Sequence, residues 1–117
     1  MTKLPFTRPS LGEEEYSAVR EVLESGWLTS GPRVLELEKK LAEYIGGGVD
    51  VRLFMSATAA LEATLVAWGI GPGDEVIVPA MSFVASANVV VRVGAKPVLV
   101  DVELESRNLT AELIEPV

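Results

Sequence analysis

The stretch Ser56-Ala57-Thr58-Ala59 combines small residues with two hydroxyl groups, shortly after a largely apolar run at 49–54. Ser56 can cap a helix, whose first turn carries unpaired N–H groups and the positive end of the macrodipole. Small side chains leave those N–H groups open to an anion, and the Thr58 hydroxyl adds a donor. The pattern predicts a phosphate site, although a simple helix cap followed by alanines, which favour helices, explains the same residues.

Phe83 lies in the stretch Ala80-Met81-Ser82-Phe83, at the junction that follows the next apolar strand. Ligands of parallel sheets bind beyond the carboxyl ends of the strands, so a ring at this junction can lie over a flat ligand. The alternative is that Phe83 is a core residue. Two matching junctions together favour a flat, phosphorylated cofactor.

The composition excludes several other kinds of site. The 117 residues include no Cys and no His, the usual metal ligands and the usual general base, so we expect no metal site. A net charge of −7 without a basic cluster argues against nucleic acid or an anionic membrane surface as a partner. The uncharged run at 76–91 is too short for a membrane span, and Pro79 interrupts it. We therefore expect a soluble, cytoplasmic protein.

Two amphipathic helices are predicted within residues 1–48, which we interpret as an N-terminal helical arm. The first follows the capping-box pattern at 10–13, with Ser10 as its cap, and stops at Gly26. The second opens at Pro32 and ends at three consecutive glycines, which we interpret as a flexible loop.

Residues 49–117 predict an incomplete β-α-β-α-β unit. Its strands are expected at 49–54, 75–78 and 96–100. Its helices are expected at 57–68, capped by Ser56, and at 82–93, capped by Ser82. The strands are rich in Val and Ile with little alternation, as expected when both faces of a sheet are covered. Both helices are apolar nearly all round, so we expect them to be heavily buried. This order of elements is typical of an α/β fold with a parallel sheet.

Four segments resemble the N-terminal part of the DegT/DnrJ/EryC1/StrS sugar aminotransferases: SGWLTSGP (25–32), SATAAL (56–61), GIGPGDEVIVPAMSFVASAN (69–88) and GAKPVLVDV (94–102). The resemblance covers most of the chain. It implies pyridoxal 5'-phosphate (PLP) as the cofactor. It also implies the N-terminal part of the large domain of the aspartate-aminotransferase fold, which is PLP fold type I.

The resemblance also implies roles for individual residues. The turn that holds the PLP phosphate corresponds to Ala57, Thr58 and Ala59. The aromatic residue that stacks on the pyridine ring corresponds to Phe83. The segment near the mouth of the active site, where substrate binds, includes Trp27 and Thr29.

Two departures from the family's usual pattern fall on the helix that begins after Ser56. The family often has Gly at the position of Ala57, where a methyl group narrows the approach but blocks no N–H. It often has His at the position of Glu62, so we expect a local change in packing or charge there.

The resemblance also implies that the catalytic residues are absent. The family's Schiff-base lysine and its pyridine-binding Asp lie beyond these 117 residues, and no lysine present stands in the motif: Lys3, Lys39, Lys40 and Lys96. Asp101 ends a strand, and we interpret it as a turn carboxylate. We therefore expect a fragment, from a truncated gene, a cloned piece or proteolysis, that contains no catalytic residue.

The function implied for the parent protein is PLP-dependent transamination of a nucleotide-linked keto-sugar, as a step in amino-sugar or polysaccharide biosynthesis. An amino acid such as glutamate would donate the nitrogen, and the parent would be a homodimer. This chain would contribute the phosphate site and the ring platform but no nucleophile, and is expected to be inactive alone. The alternative is a non-catalytic truncated relative that acts as a binding or regulatory module.

Overall fold

The computed structural model describes residues 5–117, and Lys3 lies outside them. The chain divides into two compact units, Met1–Arg52 and Leu53–Val117. The first unit contains two helices, α1 (Glu13–Ser25) and α2 (Pro32–Tyr44). The second unit has the order α3 (Ala57–Ala67), β1 (Glu75–Pro79), α4 (Ala85–Arg92), β2 (Lys96–Val100) and α5 (Ala111–Ile114).

Helix α1 begins later than the sequence predicts. Its cap is Gly12, not Ser10, and the Gly12 N–H donates to Glu15 Oε2 at 2.6 Å. Glu15 thus accepts the N–H of the cap residue, as the glutamate of a capping box does, whereas Gly12 has no side chain to accept an N–H of the first turn. The helix ends as predicted at Gly26, whose φ of 72° lies in the left-handed region that glycine tolerates best.

Helix α2 begins at Pro32, as predicted, because proline at the first helical position loses no hydrogen bond. On its surface the Glu36 carboxylate forms ion pairs with two cations, Arg33 at 3.1 Å and Lys40 at 2.7 Å. Arg33 also pairs with Glu21 on α1. The two helices of this unit are therefore joined in part through charged surface groups.

The sheet of the second unit contains β1 and β2, which run parallel. Ile77 pairs with Val98, and Val78 pairs with Leu99. The predicted strands at 75–78 and 96–100 are confirmed. Beyond the carboxyl end of β1 the ladder gains one bond, from the Ala80 N–H to the Val100 carbonyl at 2.8 Å.

The prediction of a first strand at 49–54 is wrong, because the structure has no strand there. Within residues 5–117 the sheet has two strands rather than three. A strand exists only when a neighbour pairs its backbone groups, and in this sheet β1 and β2 pair with one another alone. Residues at 49–54 that favour strands, such as Val49 and Val51, do not by themselves provide a pairing partner.

The core of the second unit is formed by Val78 from β1, Val89 and Val90 from α4, and Ala95 before β2. Leu65 of α3 packs against its edge. The prediction that both central helices are heavily buried is wrong for α3, in which no residue is buried. Helix α4 buries only Val89 and Val90, because a two-stranded sheet offers little surface to cover apolar faces.

Candidate functional site

The start of α3 has the geometry of a helix cap. Ser56 is extended, at φ −159° and ψ 156°, and its Oγ accepts the Ala59 N–H at 3.1 Å. The Ser56 carbonyl accepts the Ala60 N–H at 3.1 Å. The cap therefore uses the Ala59 amide, which the sequence predicts to be open to an anion, and the role of Ala59 in phosphate binding stays a prediction.

Two donors of the first turn remain. Within the part of the chain that the structure describes, the amides of Ala57 and Thr58 have no hydrogen-bond acceptor. The Thr58 hydroxyl lies beside them and makes no hydrogen bond to the described residues. Amide and hydroxyl donors at the positive end of a helix suit a phosphate group, so this donor set fits the phosphate of PLP.

Phe83 lies in the turn between β1 and α4, beyond the carboxyl end of the strand. Its side chain is 77% exposed, so the described residues do not bury it in a core. Its carbonyl accepts the Ser86 N–H at 3.0 Å, which fixes the backbone beside the ring. An exposed aromatic face in a hydrogen-bonded turn is available to stack on a flat ring.

Ser82 does not cap α4, contrary to the sequence prediction. The helix begins at Ala85, its cap is Val84, and no side chain bonds to the cap amides. The Ser82 and Ser86 hydroxyls instead lie 2.8 Å apart. The chain between β1 and α4 is thus a longer turn than predicted, and that turn presents Phe83.

Helices α3 and α4 are in contact. Thr58 lies in α3 and Phe83 in the turn that leads into α4, so both belong to one packed unit. Glu62 of α3 and Arg92 of α4 form an ion pair, with 2.8 Å between Oε2 and Nε. The expected change in packing or charge relative to a family His at this position stays a prediction. Sequence reasoning did not identify Arg92, because no local pattern connects residues 30 positions apart.

Trp27 and Thr29 lie in the first unit, in the turn between α1 and α2. The Trp27 indole N–H donates to the Ser30 carbonyl at 3.0 Å, and its backbone N–H donates to Ser25 Oγ at 3.2 Å. The indole covers Gly31 so closely that a Cβ there would lie 2.4 Å from the ring. Trp27 and Thr29 line the same cleft, and their role in substrate binding stays a prediction.

The lysines that the structure describes all pair with glutamates: Lys39 with Glu43 at 3.9 Å, Lys40 with Glu36 at 2.7 Å, and Lys96 with Glu75 at 2.7 Å. Lys96 begins β2, at the end of the strand opposite to Asp101.

Asp101 follows β2 and is exposed, and its Oδ1 accepts the Val102 N–H at 3.0 Å. This bond is local, and the interpretation of Asp101 as a turn carboxylate stays a prediction. Within residues 5–117, no cluster of acidic side chains could hold a metal ion. In the same range, no helix has the length and apolar character that a membrane crossing requires.

Comparison with known proteins identifies the family. Residues 9–117 match the DegT/DnrJ/EryC1/StrS aminotransferase family. Spr1654 of Streptococcus pneumoniae, assigned as a sugar aminotransferase, is 43% identical in its PLP form, with a TM-score of 0.91 over 98% of this chain. The aminotransferase of Psychrobacter cryohalolentis is 37% identical, with a TM-score of 0.88 over 97%. The aminotransferase TlmJ of Streptoalloteichus hindustanus is 39% identical, with a TM-score of 0.84 over 97%.

The chain spans 29% of the length of the first two of these structures and 31% of the third. Its α/β architecture with parallel strands is that of the N-terminal part of PLP fold type I, as the resemblance predicted. The aminotransferases of this family use PLP, and one similar structure is a PLP form. The match over residues 9–117 and the shared fold place this chain in the DegT/DnrJ/EryC1/StrS aminotransferase family.

Proposed function

We propose that the protein to which this sequence belongs transfers an amino group to a nucleotide-linked keto-sugar, with PLP as cofactor. An amino acid such as glutamate donates the nitrogen, and the active protein is a homodimer in the cytoplasm. The observation that carries the proposal for this chain is the start of α3, where two amides and the Thr58 hydroxyl have no partner among residues 5–117. Family membership supplies the reaction class.

In this proposal each site residue has a defined task. The amides of Ala57 and Thr58, with the Thr58 hydroxyl, hold the phosphate. Ala59 contributes through its backbone, because its N–H ties Ser56 into the cap that shapes the turn. Phe83 supports the pyridine ring, and Trp27 and Thr29 contact the substrate. When bound, PLP supplies the electron sink for the chemistry, and the protein supplies position and electrostatics.

The nucleophilic lysine is not among these residues, so we expect the isolated chain to be inactive. The test is to incubate the chain with PLP, glutamate and a panel of keto-sugar nucleotides, and to measure 2-oxoglutarate. We expect no turnover above that of free PLP. Turnover clearly above that level would show that a lysine of this chain performs the chemistry.

Binding is tested separately, by nitrogen-edited NMR with pyridoxine 5'-phosphate as the probe. This compound keeps the ring and the phosphate of PLP but has no aldehyde to react with surface lysines. We expect it to shift the amide signals of Ala57 and Thr58, and pyridoxine without phosphate to shift them far less. If neither amide responds in the folded chain, then the small residues after Ser56 serve only the helix.

Substitutions at Thr58 test the phosphate contacts. Thr58→Val removes the hydroxyl donor and keeps the shape, and should weaken pyridoxine 5'-phosphate binding by up to about tenfold, given the strength of a bond to a charged group. Thr58→Pro removes an amide donor as well and should weaken it further; the first turn of a helix tolerates proline. The matched control is Thr64→Val, because the Thr64 hydroxyl only donates to the Ala60 carbonyl within α3.

Phe83→Ala tests the ring platform. It should weaken binding of pyridoxine 5'-phosphate but hardly change binding of inorganic phosphate, because only the former has a ring to stack. The control is Met81→Ala, in the same turn and also exposed. Equal losses for both ligands would indicate that Phe83 acts on the fold rather than on the ring.

The alternative function is a non-catalytic truncated relative that binds a phosphorylated ligand or regulates another protein. This alternative is consistent with the described lysines, because each of them pairs with a glutamate at the surface and none stands in the family's motif. Reading the coding sequence past Val117 separates the two functions. A segment with the family's lysine favours the enzyme, and a stop codon favours the binding module.

A further inference from the structure

Glu62 places a carboxylate close to the proposed phosphate site. It follows Thr58 by four residues within α3, so the two side chains are neighbours on one face of the helix. The separation along the helix axis is about 6 Å, at 1.5 Å per residue. Both residues are half-buried, so solvent only partly screens the space between them. An anion held by Thr58 would therefore sit one helical turn from a negative charge.

Arg92 neutralises that carboxylate from the neighbouring helix. Its Nε lies 2.8 Å from Glu62 Oε2, and the side chains of Arg92 and Glu62 are 67% and 31% exposed. Arg92 stands in the last turn of α4, where a cation also suits the negative end of the helix dipole. The pair thus connects the helix that carries the phosphate donors to the helix that follows Phe83.

We propose that Arg92 is a positioning residue of the phosphate site, which acts through Glu62. By pairing with this carboxylate, Arg92 removes the repulsion that Glu62 would exert on a phosphate held at Ala57 and Thr58. This inference rests on the proposed function, because it requires that a phosphate binds at the start of α3. A phosphate monoester carries between one and two negative charges near neutral pH, so the repulsion acts on the ligand itself.

A double-mutant cycle tests this role, with pyridoxine 5'-phosphate as the probe and the amide shifts of Ala57 and Thr58 as the readout. Arg92→Gln leaves the carboxylate unpaired and should weaken binding about threefold at low salt, from Coulomb repulsion across this distance. Glu62→Gln removes the repelling charge and should bind at least as well as the unmodified chain. The double variant removes both charges and should therefore return to about the affinity of the unmodified chain, in which the two charges cancel.

Two comparisons separate this role from a purely structural one. If the ion pair only held the two helices together, both single variants would weaken binding equally. The double variant would then not restore it. The effect of Arg92→Gln should also shrink in 0.5 M salt, since ions screen charges over a few ångströms at that concentration. The control is Lys96→Gln, which removes an equal charge from the Lys96–Glu75 pair on the sheet and should leave binding unchanged.

The outcomes distinguish the inference from the proposed function. If the unmodified chain binds neither pyridoxine 5'-phosphate nor inorganic phosphate at Ala57 and Thr58, the phosphate site itself is wrong. If it binds both but Arg92→Gln binds equally well, only the role of Arg92 is overturned. Weak binding by Arg92→Gln that persists in the double variant also overturns it. Circular dichroism and the fluorine signal of 5-fluorotryptophan at Trp68 confirm that each variant is folded.

Discussion

The two units of this chain bury different kinds of residue. In Met1–Arg52, α1 buries no residue, and α2 buries only Glu38, a charged residue that lies 3.5 Å from Arg52. In Leu53–Val117, the buried residues are aliphatic side chains around a parallel strand pair, such as Val78 and Val90. Thus the one buried residue of α1 and α2 is charged and their apolar side chains are at most half-buried, whereas the second unit has a buried apolar core.

This difference affects how each unit positions its site residues. Exposed ion pairs contribute little each, because water and salt screen them. Apolar burial contributes more for each side chain and is nearly indifferent to salt and pH. We therefore expect Thr58 and Phe83 to be held by a core that tolerates changes in the solvent. Trp27, in the first unit, is held by hydrogen bonds to Ser25 and Ser30 rather than by a buried apolar core.

The largest expected effect is in the core of the second unit. Val90 is 1% exposed, and Val90→Ala should lower the free energy of unfolding by about 2 kcal/mol, from the lost methyl groups and the cavity they leave. The control is Val91→Ala, the next residue of α4, which is 60% exposed and should change stability little. Urea unfolding is followed by the fluorine signal of 5-fluorotryptophan at Trp68. Equal effects of the two substitutions would contradict the assignment of this core.

A smaller effect is expected at the turn of the first unit. Gly31→Ala places a Cβ 2.4 Å from the Trp27 ring, so the indole must move and lose its bond to the Ser30 carbonyl. The expected cost is about 1 kcal/mol, the value of one hydrogen bond. The control is Gly12→Ala, which also changes a helix-cap glycine with extended backbone, but whose Cβ meets nothing closer than 3.5 Å. A Trp27 fluorine signal that does not change in Gly31→Ala would show that this packing is absent in solution.

The smallest effect concerns pH. The hydrogen bond from Lys40, followed by that from Arg33, holds the pKa of the Glu36 carboxyl below its ordinary value of 4.5. A carboxyl with a lowered pKa in the folded state stabilises the fold fully above its unfolded pKa. That contribution is lost as the pH falls through the lower, folded pKa. Acidification from pH 6 to pH 3 should therefore weaken α2. The second unit also has carboxyls with a lowered pKa, those of Glu103 and Glu112, but both residues follow β2 and lie outside the core. We therefore expect α2 to lose its signals before β1.

Amide signals of α2 and of β1 during an acid titration check this prediction. Glu36→Gln should remove part of the pH dependence of α2. Glu43→Gln, whose partner Lys39 lies 3.9 Å away, should remove less. If β1 loses its signals at the same pH as α2, then the expected contrast between the two units is wrong.

The sequence predicted those helix ends that depend only on residues of the same turn. Gly26 as the end of α1 and Pro32 as the start of α2 follow from backbone preferences that need no distant partner. The Ser56 cap is of the same kind, and with it the position of the candidate phosphate site. Ser10 and Ser82 were wrong as caps because a capping pattern does not say which of several nearby residues takes the role.

The sequence by itself determined the family, the α/β class, both observed strands and the residues proposed to hold PLP. These depend on residue types at fixed local spacing. Only the tertiary structure decided that 49–54 forms no ladder, that α3 buries no residue, and that Glu62 is paired with Arg92. Each of these depends on which distant segment lies alongside, and burial and pairing are properties of two surfaces that meet rather than of one stretch of chain.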